Sequence, residues 1–549
     1  MRKRTLWTLL GVLTVVSVLV GCAAPATPTV EPVEEPVVDP TEPVEVEPTE
    51  PPEVDPTATP VPEEPAEPRI LRVRMYSDIQ NMDPAFQISE NDTVVADLVM
   101  NGLVRYCANS YEICYQLAES LEQSEDGLEI SFKLREGVQW HNGYGEVTAE
   151  DVKYSFERFI DPELSAVYAD DWATLERVEV IDRYRGTIIL SEPFAPLWFS
   201  TLPAGSGTII PKDYVEEIGY EAFATNILGS GPYIFHEWRP MERVVVVKNP
   251  DYFGDEPYWD EIHLIPIEDD RSAEVALEAG DIDWARISIA SVERFEDNPN
   301  LEAWTTPSLR YLWIAMNVQH PKLQDINVRR AIQHGIDVQS IIQAAYMGEV
   351  EQTCALVPPG LIGHWEDAPC PEYDIELAQQ YMDEAGLESL DLRLDLQDTS
   401  EYRTWGEIAQ QNLRQIGINL ELNPMESSAY WTSSFGEQAC EDNQLLTSNY
   451  SMQPDPSWAT MWFTCDQVYV WNTQCWCDEE YDRLHRQGLV TLDEEEREQI
   501  YIEMQRIWEE EAQTLWITHG VQTYAYQPSI EPATTPHGRP QYEYFRPAE

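Results

Sequence analysis

The chain has 549 residues, room for two or three domains at roughly 100–200 residues each. Hydrophobic residues at 43% and aromatics at 11% are enough to build large cores, so a chain disordered throughout is ruled out. With 99 Asp and Glu against 34 Lys and Arg, the net charge of −65 argues against binding nucleic acid through its phosphates and against adsorption to anionic lipid.

Residues 1–22 place a basic start (Arg2, Lys3, Arg4) before an apolar run from Leu6 to Val20. The run is short for a ~20-residue membrane span. It ends Leu19-Val20-Gly21-Cys22-Ala23, which resembles the lipobox of bacterial lipoproteins. In that class the signal peptide is removed and the cysteine becomes a lipid-bearing N-terminus. Lipidated Cys22 is therefore expected to hold the protein on a membrane outside the cytoplasm, in the periplasm or on the outer face. Residues 23–68 hold 14 Pro and 13 acids with no Lys, Arg or aromatic residue, a composition that cannot bury a core. As polyproline II at ~3.1 Å per residue, this stalk would reach on the order of 140 Å. Residues 69–549 keep 86 acids against 31 bases, so the body is itself strongly acidic.

The body is expected to open on a strand at Ile70–Met75. Thr148-Ala149-Glu150-Asp151 predicts a capped helix start, with acids placed well for the helix dipole. Residues 243–248, Arg-Val-Val-Val-Val-Lys, read as a buried strand. Apolar spacing from Asn327 to Ile342 is helical, interrupted at Gly335. Amphipathic helices follow at 375–385 and 402–416, with an alternating strand at 390–396 between them. A long helix from Asp493 to Trp508 puts Ile500, Met504, Ile507 and Trp508 on one face. Helices alternate with strands, which predicts a mixed α/β body.

Cys22 apart, eight cysteines remain: 107, 114, 354, 370, 440, 465, 475 and 477. An even set in an exported chain predicts disulfides over a metal site, because Cys475-Trp476-Cys477 lacks the paired CxxC spacing of zinc ribbons. Short loops favour Cys107–Cys114 and Cys354–Cys370. The last four allow three connectivities; Cys440–Cys475 with Cys465–Cys477 is the first guess, with Cys475 and Cys477 on one side of a strand. No HExxH, P-loop, Rossmann fingerprint or GxSxG is present, and the nine His have no metal-ligand spacing. No cofactor, metal or catalytic residue is expected, which tilts the reading toward a binding protein.

Residues 132–159, FKLREGVQWHNGYGEVTAEDVKYSFERF, resemble the signature of the extracellular solute-binding proteins that serve ABC importers for peptides, nickel and some oligosaccharides. Asn142 stands where that family usually has Asp, and Gly145-Glu146 lengthens the turn. Further matches follow in family order: residues 228–233 and 249–254, the Arg-x-Ala helix at 328–337, the loop at 357–360, Asp455-Pro456 and residues 480–484. Gly137, Gly143 and Gly231 suit positive-φ turns. Asp151 and Arg135 are read as holding the fold. The resemblance implies an α/β, two-lobe periplasmic-binding-protein-like fold with an extra third domain and a ligand cleft between the lobes. Lobe 1 would be 69–103, 226–306 and 521–549, its inserted domain 104–225, and lobe 2 residues 307–520.

The implied function is capture of peptides for a membrane permease of an ABC importer, by a monomer that is not an enzyme and has no nucleic-acid partner. An oligosaccharide ligand is the alternative within the family, and an extracellular hydrolase the alternative outside it. In peptide-binding relatives an Asp just before the Asp-Pro segment pairs with the ligand amine. Here residues 449–454 hold no acid and only Asp455 remains. Asp455, Asn449 and Tyr450 are thus candidate ligand contacts. Tyr311, Trp313, Trp431, Trp458 and Trp471 are candidate aromatic platforms.

Overall fold

The computed structural model describes residues 67–548. The signal segment, Cys22 and nearly all of the stalk lie outside the described residues. The body is mixed α/β, built on three main sheets.

The first sheet has seven strands in the order Tyr233–Arg239, Arg243–Lys248, Glu261–Pro266, Ile70–Met75, Trp284–Arg286, Val521–Tyr526 and Glu302–Pro307. Ile70–Met75 runs parallel to Glu261–Pro266 and Trp284–Arg286. Leu71, Val73 and Met75 point to one core with Val95 and Val99 of the helix Glu90–Val99 and with Trp284, which stacks on Tyr524 at 4.7 Å. The opposite face is covered by the helix Asp270–Ala279 through Leu277.

A four-stranded antiparallel sheet, in the order Ala118–Gln123, Glu129–Leu134, Arg185–Leu190, Leu175–Val180, has its own core around Phe132, Phe156 and Trp172. The family signature lies here, and its residues hold the fold. Thr148 and Asp151 form a capping box at the start of the helix Ala149–Glu157. Arg135 donates from Nε to the carbonyl of Gln116 at 2.7 Å. Asn142 takes φ +57, a left-handed conformation that Asn tolerates better than most residues. Gly231 differs from expectation. Its φ is not positive; a Cβ there would lie 2.5 Å from the carbonyl carbon of Val99, so it is the close approach of two backbones that requires glycine.

The third sheet has five strands in the order Ile418–Met425, Leu390–Gln397, Leu445–Ser451, Arg310–Met316, Thr514–Thr518, and is covered on both faces. Leu312, Ile314 and Met316 face the helices Ile326–Gly335, Val338–Tyr346, Ile375–Glu384 and Ser400–Leu413. Tyr311, Trp313 and Ala315 face the helices Glu479–Val490 and Glu494–Glu510. The helical stretch around Gly335 is two helices, because the Asp337 side chain accepts from Ser340 N and caps the second. Gly335 itself allows close packing: a Cβ would lie 3.0 Å from Leu413 Cδ2.

All eight cysteines of the body are paired: Cys107–Cys114, Cys354–Cys370, Cys440–Cys475 and Cys465–Cys477. The segment around Cys475 is not the expected strand. Cys475 has φ +53, and this turn lets two cysteines separated by one residue reach different partners.

Candidate ligand cleft

Two strand crossings join the seven-stranded and five-stranded sheets. Glu302–Pro307 leads through Ser308 and Leu309 into Arg310–Met316, and Thr514–Thr518 returns through His519 and Gly520 into Val521–Tyr526. The crossings are tied together. Ser308 donates from Oγ to the carbonyl of His519 at 2.7 Å and from N to that of Gly520 at 3.3 Å. Gly520 has φ +69, which only glycine adopts freely, and its N donates to Thr518 Oγ1 at 3.0 Å. Burial pushes the His519 imidazole down to about 4, so it is neutral here.

The registers place the cleft. Trp284–Arg286 pairs antiparallel with Val521–Tyr526, so its C-terminal end and those of its parallel neighbours lie at the crossings. In the other sheet Arg310 pairs with Ser451, so Leu445–Ser451 and its parallel neighbours also end there. The carboxyl ends of both parallel strand sets thus meet beside the two crossings, where open α/β sheets bind ligands. The four-stranded domain reaches across to the same side of the second lobe. Phe199 lies under the Arg497 guanidinium at 5.6 Å, Ala195 N donates to Leu489 O at 2.8 Å, and Tyr111 packs against the core behind Trp313.

The predicted contacts separate at this edge. Asp455 is fully buried and its charge is already taken. Arg497 donates from Nη2 to Oδ1 at 2.8 Å, and Nη1 lies 2.7 Å from Oδ2 as an ion contact that misses hydrogen-bond angle. Ser457 donates to Asp455 Oδ1 from its N at 2.9 Å and from its Oγ at 2.5 Å. Burial works against the Arg497 charge, but the Asp455 carboxylate more than offsets it and holds the guanidinium above its ordinary pKa. In this arrangement Asp455 anchors the helix Glu494–Glu510 and is not open to a ligand amine.

Tyr311 and Trp313 are fully buried, stacked on each other at 5.3 Å, and are core side chains rather than platforms. Tyr450 is nearly buried; its hydroxyl donates to the carbonyl of Trp471. Asn449 lies on the opposite face of its strand, where its Nδ2 donates to Tyr402 Oη at 2.8 Å. Near this edge Trp431, Trp458 and Trp462 are half-buried and Trp471 is exposed. Trp431 stacks on Phe435 at 5.8 Å, and Trp471, 40% exposed, meets Phe435 at 4.8 Å and Trp462 at 5.7 Å. Trp431 lies on the helix Ser427–Ser434 that follows the strand ending at Met425, and Trp458 on the short helix Ser457–Thr460. Both therefore stand just past strand ends at the cleft.

Arg310, the first residue after the outward crossing, is a cleft-edge cation that the sequence reading did not single out. A signal for it exists: residues 303–324 contain no Asp or Glu, in a chain with 99 of them.

The family described as "Bacterial extracellular solute-binding proteins, family 5 Middle" matches residues 112–469. The chain is 27% identical over 445 residues to the probable D,D-dipeptide-binding periplasmic protein DdpA of Escherichia coli, covering 78% of this chain and 84% of that protein. It is 26% identical over 485 residues to di/tripeptide-binding protein 2 of Pseudomonas aeruginosa, covering 83% and 90%. Its fold is similar to that of the ABC transporter-associated periplasmic binding protein DppA from Helicobacter pylori, solved in complex with the peptide STSA. There the TM-score is 0.73 at 23% identity, over 87% of this chain and 98% of that one. The match across most of the body, with a two-lobe α/β fold of the same kind, means that this chain belongs to the bacterial extracellular solute-binding proteins of family 5.

Proposed function

We propose that this protein captures peptides between its lobes, outside the cytoplasm, and delivers them to the permease of an ABC importer. The observation that carries the reading is the meeting of both parallel strand sets at a two-strand hinge, in a chain whose relatives are named as dipeptide- and di/tripeptide-binding proteins. We assign lobe 1 to 69–103, 226–306 and 521–549, the inserted domain to 104–225 and lobe 2 to 307–520. Ligand side chains would lie against Trp431, Trp458 and Trp471. The test is native mass spectrometry of the protein as purified. The reading expects added masses that match peptides, leave on denaturation and come off unhydrolysed.

Exposed indoles also favour stacking on sugar rings, so an oligosaccharide is the second reading, and glycan masses in the same spectrum would select it. The anchor is proposed at Cys22. Cys22→Ala is expected to shift the protein from the membrane fraction to the soluble fraction or to leave an unprocessed precursor. Unchanged fractionation and mass would overturn the lipid assignment.

A further inference from the structure

The chain has about three acids for every base, so most cations find carboxylates. Arg72, Arg74, Arg158, Arg294 and Arg497 all lie within 4 Å of one. Arg310 does not: among the described residues no carboxylate is within 4 Å of its guanidinium. Its side-chain partner is an amide oxygen, Asn449 Oδ1, reached from Nη2 at 3.3 Å. That oxygen is aimed by a third group, because Asn449 donates its own Nδ2 to Tyr402 Oη at 2.8 Å. Glu401, the residue before Tyr402 in sequence, accepts from the Tyr346 hydroxyl. Arg310 is half-buried, sits two residues after the hinge residue Ser308, and pairs in register with Ser451 at the carboxyl end of its strand. A cation held in one orientation, partly out of water and without a counter-ion, is suited to an anion that arrives with the ligand.

We propose that Arg310 is the receptor for the ligand's carboxylate, with Asn449 as its positioning residue. The proposal rests on the peptide reading above and adds a direction to it: the carboxyl end of the peptide lies at the hinge edge of lobe 2. It also gives the cleft a charge contact that Asp455, held by Arg497, does not supply. An arginine–carboxylate pair in a closed cleft is directional and stronger than in water, so its loss is readable as affinity.

The experiment is calorimetric titration with Ala-Phe, Ala-Phe-Ala and Ala-Phe-Ala-Phe-Ala, each as free acid and as C-terminal amide, against wild type, Arg310→Gln, Arg310→Lys and Asn449→Ala. Thermal melts report whether each variant is folded. The proposal expects free acids to bind wild type roughly 10- to 100-fold more tightly than amides, the range of one charged hydrogen-bonded contact. Arg310→Gln is expected to erase that preference by weakening the acids to the level of the amides while leaving amide affinity unchanged. Arg310→Lys should restore part of it, and Asn449→Ala should reduce it without abolishing it. Ala-Glu-Ala amide, whose one carboxylate is on a side chain, separates the two sources of the anion. An Arg310-dependent gain for it supports a receptor that takes either kind of carboxylate. No gain for it, beside an Arg310-dependent preference for free acids, supports a receptor for the C-terminal carboxylate. If acids and amides bind wild type equally, or the preference survives in folded Arg310→Gln, the Arg310 proposal is overturned while the peptide reading stands. If no peptide binds at all, both are overturned.

Discussion

Asp455→Ala is expected to destabilise the second lobe by about 3–5 kcal/mol, because it leaves the Arg497 guanidinium buried without its counter-charge. Both side chains are almost fully buried, with relative side-chain exposures of 0% for Asp455 and 1% for Arg497. Arg497 has few substitutes. It donates from Nε to the carbonyl of Gly488 at 2.8 Å, and Phe199 and Tyr501 lie against its plane. The pair ties the loop after the strand Leu445–Ser451 to the helix Glu494–Glu510, across 42 residues of sequence. Thermal and denaturant unfolding of Asp455→Ala, Arg497→Met and the double variant measure the coupling. The double variant is expected to be more stable than Asp455→Ala, since it removes the unpaired charge as well. An Asp455→Ala protein as stable as wild type, but with lost affinity for peptides, would return Asp455 to the ligand.

Trp313→Ala is the second large effect, at about 3–5 kcal/mol for a large cavity in a packed core. Trp313 is fully buried between Tyr311 at 5.3 Å, Tyr450 at 5.1 Å and Trp516 at 5.8 Å. Trp313→Phe is expected to cost much less, because it keeps a ring in the stack and removes an indole N–H that has no partner. Trp471→Ala, at a 40% exposed site with edge contacts to Phe435 and Trp462, is expected to cost only about 1 kcal/mol of stability and to lower ligand affinity as well. The two residues were equivalent candidates in the sequence, so this contrast separates core from platform. A Trp471→Ala protein with unchanged affinity would remove that ring from the cleft.

The difference between those tryptophans was partly legible. Residues 311–316 read Tyr-Leu-Trp-Ile-Ala-Met, an unbroken apolar run. Such a run marks a strand covered on both faces, which puts Tyr311 and Trp313 in a core whichever way they point. The helix starts were legible for a local reason: Thr148 with Asp151, and Asp493 with the acids behind it, carry their capping partners within three residues. The partner of Asp455 was not legible, because Arg497 belongs to a helix that local spacing describes only as amphipathic. Gly231 was misread for a similar reason. Its need for glycine comes from the backbone of Val99, more than a hundred residues earlier. The aromatic candidates were recognised by type, but strand register decides which of them reach the edge, and register was not in the local pattern. Arg310 was legible only by contrast, as a base in a stretch without acids.

The most direct test of peptide capture is calorimetric titration of the mature protein with a defined series of di- to pentapeptides, and separately with oligosaccharides of matching length. The account predicts saturable binding of at least one peptide length at one site per chain, with affinity near micromolar, about −8 kcal/mol. Saturable binding of an oligosaccharide, with no heat from any peptide, would contradict it.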